Sequence, residues 1–267
     1  MKTLYVSDLD GTLLGSDQRM SDFSIRTINE LSESGMLFTY ATARSWYTAH
    51  KVTEGLEVRV PLIVYNGIFT CDNSTGRIMS CHTFGEDVQA VLDDIFATGN
   101  IPVVYAMVDG RERSSYILDR SNAPTRNLIL SRSDVRLRSV ETIEQLRAGE
   151  IFYITCIDSA DVLLPIYEKW RDTYYCVYQK DIYDGSQWLE IMPAGCSKAN
   201  AIGELKQRLG CDRVVVFGDG VNDLPMFMAA DEAYAVANAV PKLKAAATGV
   251  IGGNNEDGVA RWLLKHC

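Results

Sequence analysis

The sequence has no apolar run of the length that crosses a membrane, about 18 residues or more, although apolar residues make up 47% of its 267 residues. Positive charge is also scarce, since 26 lysines and arginines stand against 35 aspartates and glutamates, a formal net charge of −9. Nucleic-acid phosphates demand clustered positive charge, so this balance argues against a nucleic-acid-binding surface. We therefore expect neither a membrane nor a nucleic acid as a partner.

Histidines are few, and paired cysteines are missing. The three histidines, His50, His82 and His266, are not spaced as metal ligands, and the seven cysteines include no C-x-x-C pair. These absences argue against a zinc site. Because the cysteines are odd in number and widely spaced, and a short strand-like run at 3–7 stands where a secretory signal would begin, we expect reduced thiols and a cytoplasmic protein.

Strand-like and helix-like segments alternate at both ends of the chain, which favours a parallel sheet covered by helices. The predicted strands at the two ends are 3–7, 36–41, 61–65, 213–217 and 233–236. A helix is expected from the capping residue Ser21 to Gly35, a second after the capping residue Ser197, and a hairpin around 73–76. The alternating pattern predicts a core formed by 1–82 and 188–267.

The middle of the chain, 83–187, has a different order of strand-like and helix-like segments. This order predicts an α+β insert with its own antiparallel sheet. Its predicted helices are 85–98, 141–147 and 160–171, and its predicted strands are 101–108, 113–118, 151–157 and 174–178. A polar stretch without a predicted element separates 118 from 141.

Polar side chains follow the ends of four predicted core strands. They are Asp8 and Asp10, Thr42 and Arg44, Asn66, and Asp219 with Asn222 and Asp223. In open parallel sheets ligands bind at the carboxyl edge, where loops from several strands converge. We therefore expect these side chains to meet in the folded protein.

Asp8 and Asp10 are two residues apart, directly after the first strand. Two crowded carboxylates repel each other, so the pair implies a cation or a shared proton. The alternative is an ordinary Asp-Gly turn with solvated acids, because Gly11 also permits a tight turn. The run alone does not decide between the two interpretations.

Asp219 and Asp223 add two carboxylates after a second buried strand. Mg²⁺ prefers oxygen ligands and keeps several waters, so carboxylates from both strand ends would suit it. The alternative is an acidic helix N-terminus, which accounts for Asp223. It does not account for Asp8, Asp10 and Asp219.

Thr42 and Lys198 can bind an anion. The Thr42 hydroxyl and the amides that follow it could hold phosphate oxygens, although a simple helix N-cap is the alternative. Lys198 is a cation at a helix N-terminus, which the helix dipole disfavours, so it needs a partner such as phosphate or Asp8. The alternative for Lys198 is a solvated surface side chain.

Four motifs of the chain resemble, in order, the four motifs of the haloacid dehalogenase superfamily. They are DLDGT at 8–12, the threonine of ATAR at 41–44, Lys198, and GDGVND at 218–223. The chain looks most like the Cof-type phosphatase branch, whose α/β cap is inserted between the second and third motifs. Shorter similarities to that branch are Asn66-Gly67, IMPAGCSK at 191–198 and NNEDGVA at 254–260.

This resemblance implies a Rossmann-like α/β core with helices on both faces of a parallel sheet, and an α+β cap at 83–187 that determines substrate specificity. It also implies a magnesium-dependent phosphatase, a phosphoric monoester hydrolase. The implied substrate is a small phosphorylated metabolite such as a sugar phosphate.

The resemblance also implies roles for individual residues. Asp8 would attack phosphorus and form an aspartyl-phosphate, and Asp10 would protonate the leaving alcohol and then activate water. The implied Mg²⁺ ligands are Asp8, Asp10, Asp219 and Asp223. The implied phosphate- and substrate-binding residues are Thr42, Ala43, Arg44, Lys198 and Asn222. Ala43 stands where the branch commonly has glycine.

Three other functions are compatible with parts of this pattern. A sugar phosphomutase would share the core motifs and pass the phosphoryl group to a sugar hydroxyl. A phosphorylated receiver also uses Asp, Thr and Lys on an α/β sheet, but it leaves Asp10 and the insert unexplained. A catalytically silent module that binds a phosphorylated ligand is the third.

Overall fold

The computed structural model describes residues 1–133, 135–180 and 185–267. The chain divides into two compact units, residues 1–81 with 196–267 and residues 82–195. We call them the core unit and the inserted unit. In the described part of the chain, no helix has the length and apolar character needed to cross a bilayer.

The described strands and helices are numbered in chain order. The strands are β1 (Thr3–Ser7), β2 (Leu37–Tyr40), β3 (Leu62–Val64), β4 (Phe69–Cys71), β5 (Ile78–Cys81), β6 (Val103–Val108), β7 (Arg111–Tyr116), β8 (Leu137–Ser139), β9 (Glu150–Asp158), β10 (Tyr175–Lys180), β11 (Gln187–Met192), β12 (Arg213–Gly218), β13 (Glu232–Val236) and β14 (Gly249–Ile251). The helices are α1 (Asp22–Glu33), α2 (Trp46–Val52), α3 (Val88–Ala97), α4 (Ala123–Ser131), α5 (Ile143–Leu146), α6 (Ala160–Trp170), α7 (Lys198–Leu209), α8 (Leu224–Ala229), α9 (Pro241–Ala246) and α10 (Gly258–His266).

The core unit is built on a five-stranded parallel sheet with the order β14-β13-β12-β1-β2. Its central strands are buried apolar runs, as expected when helices cover both faces of a parallel sheet. Helix α1 packs against α10, and α7 packs against α8. The predicted fold class, an α/β core with a parallel sheet, is confirmed.

The ends of the core elements follow local sequence signals. Ser21 accepts a hydrogen bond from the Ser24 amide and Ser197 accepts one from the Asn200 amide, so both predicted helix caps are confirmed. The predicted hairpin is also present, because β4 pairs antiparallel with β5. A single parallel bridge, between Ala41 just after β2 and Ile63 of β3, connects these two strands.

The inserted unit has a six-stranded sheet with the order β10-β11-β9-β6-β7-β8. Its pairs are antiparallel except β7 with β8, which run parallel. Helices α3 and α6 contribute to its apolar core, together with residues of β6, β9 and β11. The unit therefore has a core of its own.

Two elements of the inserted unit lie in the stretch that the sequence left without structure, α4 and β8. Asn122 caps α4 by accepting from the Thr125 amide, and Pro124 occupies its first turn. Polar residues that look like a connection are here the start signals of a helix.

The return to the core occurs at 196 rather than at the predicted 188. Strand β11 pairs with β9 and β10, so it belongs to the sheet of the inserted unit. Its sequence, with Trp188, Leu189, Ile191 and Met192, is strand-like and apolar, which is why the sequence pattern suggested an earlier return.

Candidate active site

The sheet order brings the ends of β1 and β12 together. Ser7 lies opposite Phe217 in the parallel ladder, and the Asp8 amide donates to the Phe217 carbonyl at 2.9 Å. Asp8 and Asp219, 211 positions apart in the sequence, therefore follow neighbouring strands at the same sheet edge. This is the point where the chain leaves β1 towards β2 on one side and returns as β12 on the other, as in other open α/β ligand sites.

Lys198 is buried between two carboxylates. Its Nζ donates to Asp8 Oδ1, and to Asp223 Oδ1 at 2.8 Å. The exposed fractions of the side chains are 2% for Lys198, 8% for Asp8 and 0% for Asp223. The structure thus places Lys198 against Asp8. Asp8 is one of the two anionic partners expected for a cation at the start of α7.

Asp223 also fixes the turn that carries Asp219. Its second oxygen, Oδ2, accepts from the amides of Asp219 and Gly220 at 3.0 and 3.1 Å. Both oxygens of Asp223 are therefore occupied by protein donors. Asp219 is more accessible, and its Oδ1 accepts from the Thr12 hydroxyl at 3.1 Å.

Asp8, Asp219 and Asp223 form an acidic cluster that can hold a metal ion. One carboxylate oxygen from each lies within 4.8 Å of the others. Three carboxylates face the single positive charge of Lys198, so a divalent cation would complete the charge balance. Oxygen donors of this kind match the preference of Mg²⁺, so the donor set fits that ion.

Burial and neighbouring charges shift the pKa values of the groups in the cluster. Burial, opposed by Lys198 and reinforced by Asp223, raises the pKa of Asp8 to about 8. Burial and the charge of Asp223 raise the pKa of Asp219 to about 6. Burial lowers the pKa of Lys198, but Asp8 and Asp223 raise it by more, so the net shift is upward.

Asp10 lies apart from the other three carboxylates. Arg44 binds both of its oxygens, with Nε to Oδ2 at 2.7 Å and Nη2 to Oδ1 at 2.6 Å. Half of the Asp10 side chain is exposed. The sequence grouped Asp10 with the metal ligands and Arg44 with the substrate ligands, whereas the structure joins the two in a bidentate pair.

The remaining predicted ligands lie in the segments that follow β2 and β12. Thr42 is buried, and its hydroxyl accepts from the Arg44 amide at 3.1 Å. The Thr42 carbonyl accepts from the Asn66 amide at 2.9 Å, which ties the end of β2 to the turn after β3. Ala43 and Asn222 are both exposed.

Two glycines permit the close approach of these loops. Gly11 has φ +76°, and a β-carbon there would overlap the Asp219 carboxylate. Gly67 has φ +99°, and a β-carbon there would overlap the Ser197 carbonyl at the start of α7. Only glycine fits positions that combine a left-handed backbone with so close a neighbour.

Asn238 also contributes to the site, and it was not predicted from the sequence. Its Nδ2 donates to the Gly11 carbonyl at 2.7 Å, and its Oδ1 accepts from the Asn254 amide at 3.0 Å. Asn238 follows β13, so the rule applied to the other strand ends could have found it. It holds the turn between Asp10 and Thr12 in place.

Comparison with known proteins places this geometry in a family. The model of the haloacid dehalogenase-like hydrolases matches residues 5–263. A 5-amino-6-(5-phospho-D-ribitylamino)uracil phosphatase of Bacillus subtilis is 28% identical, with 98% of this chain and 97% of that protein covered. An HMP-PP phosphatase of Yersinia pseudotuberculosis is 24% identical, with 98% and 94% covered. A crystal structure from Thermotoga maritima superposes with a TM-score of 0.79 at 26% identity, covering 100% of this chain and 98% of that one.

Proposed function

The chain belongs to the haloacid dehalogenase-like hydrolase family, and from that premise we propose that it hydrolyses small phosphate esters through a phosphorylated Asp8. Membership confirms the family resemblance of the sequence, and the phosphatase relatives bear out the predicted enzyme class, a phosphoric monoester hydrolase. The observation that carries the proposed mechanism is the contact of Asp8 with Lys198 beside Asp219 and Asp223.

In the first step, an oxygen of Asp8 attacks the phosphorus atom, and the bond from phosphorus to the ester oxygen breaks. The leaving oxygen takes a proton from the Asp10 carboxyl group. In the second step, Asp10 accepts a proton from water as the water oxygen attacks phosphorus, which releases phosphate and restores Asp8.

Asp10 must change partners during this cycle. Arg44 occupies both carboxylate oxygens, so at least one of them must leave Arg44 before it can carry a proton to the leaving group. We propose that Arg44 positions Asp10 between turnovers. A role of Arg44 in contacting substrate remains compatible with this exchange.

The cluster of Asp8, Asp219 and Asp223 would hold Mg²⁺. When bound, the ion supplies positive charge that offsets the charge of the phosphoryl oxygens and of the crowded carboxylates. Asp8 and Asp219 are the ligands that this proposal favours. Asp223 gives its oxygens to Lys198 and to two amides, so it supports the site mainly by orienting Asp219 and Lys198.

Lys198 and Thr42 are the proposed phosphoryl-binding residues. The Lys198 ammonium group touches Asp8 and is therefore next to the phosphorus that Asp8 would attack. The Thr42 hydroxyl can turn its hydrogen outward, because its oxygen already accepts from the Arg44 amide. The amide of Ala43 and the side chain of Asn222, both exposed residues, complete the proposed set.

The inserted unit is proposed to select the substrate as a cap domain. It has its own sheet and core, so its sequence can vary without loss of the carboxylate cluster. The relatives act on a phosphorylated ribitylaminouracil and on HMP-PP according to their names. We accordingly propose a small phosphorylated metabolite as the substrate class.

Since no disulfide is formed among the described cysteines, we also propose a cytoplasmic location.

The proposal is tested by phosphate release from a panel of sugar phosphates, nucleotides and cofactor phosphates, in Mg²⁺ and in EDTA. We expect release only with Mg²⁺, and we expect Asp8→Asn to lower it by at least about a thousandfold, as loss of a catalytic nucleophile does. Asp172→Asn, a carboxylate with 89% exposure in the inserted unit, is the matched control and should keep full activity.

A folded Asp8→Asn protein with near-wild-type turnover would refute the assignment of the nucleophile. Isomerised sugar phosphate in place of free phosphate would favour the phosphomutase. Binding of phosphorylated ligands without turnover by the wild-type protein would favour the silent module.

A further inference from the structure

A row of three arginines lies on one face of the inserted unit's sheet, at the edge formed by β7 and β8. Arg111 and Arg113 are two residues apart on β7, so their side chains stand on the same face. Arg111 lies opposite Val108 of β6 in the antiparallel ladder. Arg138, on β8, donates to Ser115 Oγ at 3.2 Å, and Ser115 is again two residues further along β7. The alternation therefore puts all three guanidinium groups on one face.

The three arginines line a cavity of about 580 Å³, which we call the arginine groove. Its other lining residues are Val108, Asp109 and Leu137. The size is within the usual range for a small-molecule site. None of these residues belongs to the carboxylate cluster.

Two of the three guanidinium groups in the groove, those of Arg113 and Arg138, donate to neutral acceptors. Arg113 donates to the Val135 carbonyl at 2.7 Å, and Arg138 donates to the Gln145 carbonyl at 3.0 Å. By contrast, Arg136 in the same unit is paired with Glu112 at 2.8 Å. Within 1–133, 135–180 and 185–267, no carboxylate, Asp109 included, forms an ion pair with the three groove arginines.

We propose that the arginine groove binds a small polyphosphate anion, a ligand with two or more linked phosphoryl groups. Like charges held together without a counter-ion raise the energy of the site, and a bound polyanion would lower it. Guanidinium groups match phosphate oxygens in geometry, because two parallel N–H groups can donate to one phosphoryl group. Three guanidinium groups in a row therefore suit a chain of linked phosphoryl groups better than a single phosphate.

The surroundings favour a small ligand over a nucleic-acid strand. The chain carries a net charge of −9, so a long polyanion would be repelled wherever it extended beyond the groove. The groove is lined by no aromatic side chain among the described residues, whereas single strands usually stack their bases on such side chains. A compact polyphosphate needs neither a wide basic surface nor a stacking platform.

The test is calorimetric titration of the full-length protein with inorganic tripolyphosphate in EDTA, which involves no turnover and so is separate from the test of the proposed reaction. We expect one binding site that weakens as salt is raised. Arg111→Gln should weaken binding by at least about fivefold, and adding Arg113→Gln should abolish it. Arg111 is exposed, so Arg111→Gln should keep the thermal stability and the phosphatase activity of the wild type.

The control is Arg120→Gln with Arg171→Gln, which removes the same charge elsewhere in the inserted unit and should change affinity by less than about twofold. ATP is titrated in parallel, and binding at or above the affinity of tripolyphosphate supports the proposal. The proposal is overturned if the wild type does not bind tripolyphosphate, or if the groove and control variants lose affinity equally. Tighter binding of a single-stranded oligonucleotide than of tripolyphosphate would also overturn it.

Discussion

At the scale of single residues, the burial of the carboxylate cluster lowers the stability of the folded protein at neutral pH. Asp8 and Asp219 both have a higher pKa in the folded protein than the ordinary value of 3.8, chiefly because they are buried. A group with a raised pKa binds its proton more tightly in the folded chain than in the unfolded one. Stability therefore falls as the pH rises from about 4 to about 8, the window between the ordinary pKa and that of folded Asp8.

Asp8→Asn should consequently be more stable than the wild type at pH 8 in EDTA, by about 1–2 kcal/mol. An asparagine cannot ionise, and its amide oxygen can still accept from Lys198. Urea denaturation at pH 5 and pH 8 would measure the difference, which should shrink at pH 5. A wild type equal to or more stable than Asp8→Asn at pH 8 in EDTA would contradict this account.

The pair of Asp10 and Arg44 predicts that the two residues act as one unit. We expect Arg44→Gln to lower kcat by about tenfold or more in the wild-type background. In the Asp10→Asn background it should have almost no further effect, because the carboxylate that Arg44 positions is gone. A double-mutant cycle on kcat measures this coupling. Additive losses would indicate that Arg44 acts on the substrate instead.

The sequence predicted which residues would gather at the site better than it predicted their partners. Strand-end position brought Asp8, Thr42 and Asp219 to one edge, since parallel strands share a direction. It could not say that Asp10 would turn to Arg44, because which neighbour a long side chain reaches depends on the turn geometry. The sequence could not predict the double role of Asp223 either, which binds Lys198 with one oxygen and two backbone amides with the other.

At the scale of elements, Gly67 links the turn after β3 to the start of α7. Gly67→Ala should destabilise the protein by about 2 kcal/mol more than Gly35→Ala does, and it should lower activity by moving Lys198. Both glycines have φ near +100°, but a β-carbon at Gly35 meets no atom within 4 Å. Forcing alanine into this left-handed backbone should cost both variants about 1 kcal/mol of stability. The difference between the two free energies of unfolding therefore measures the overlap of the new β-carbon with the Ser197 carbonyl.

Thermal or urea unfolding of the two variants would measure this difference. Equal destabilisation would mean that α7 shifts without cost. A fully active Gly67→Ala protein would mean that Lys198 keeps its place despite the shift.

The elements that the sequence predicted well are those with strong local signals. Strand β1 has the bounds that its β-rich run predicts, and the caps of α1 and α7 lie at the expected serines. Helix α4 was missed because its start signals are polar and its apolar face is short. Strand β11 was assigned to the core because an apolar, strand-like sequence does not tell which sheet the strand joins.

At the scale of the whole molecule, the two units should differ in their capacity to fold alone. The inserted unit, 82–195, has a complete sheet and its own apolar core. We therefore expect an isolated 82–195 fragment to fold cooperatively, as judged by circular dichroism and the dispersion of its NMR spectrum. The 1–81 fragment should remain unfolded, because β1 lacks its neighbour β12 there. A folded 1–81 fragment, or an unfolded 82–195 fragment, would contradict this division.

The position of β1 between β2 and β12 also has a consequence for synthesis on the ribosome. Ser7 leaves the ribosome long before its partner Phe217, which follows 210 residues later (217 − 7). At about 5–20 residues per second, this delay is roughly 10–40 s, and the inserted unit is completed within it. One edge of β1 stays unpaired during that time and is open to chaperones or to other nascent chains. The proposed nucleophile, Asp8, is thus translated well before the strand that completes its surroundings.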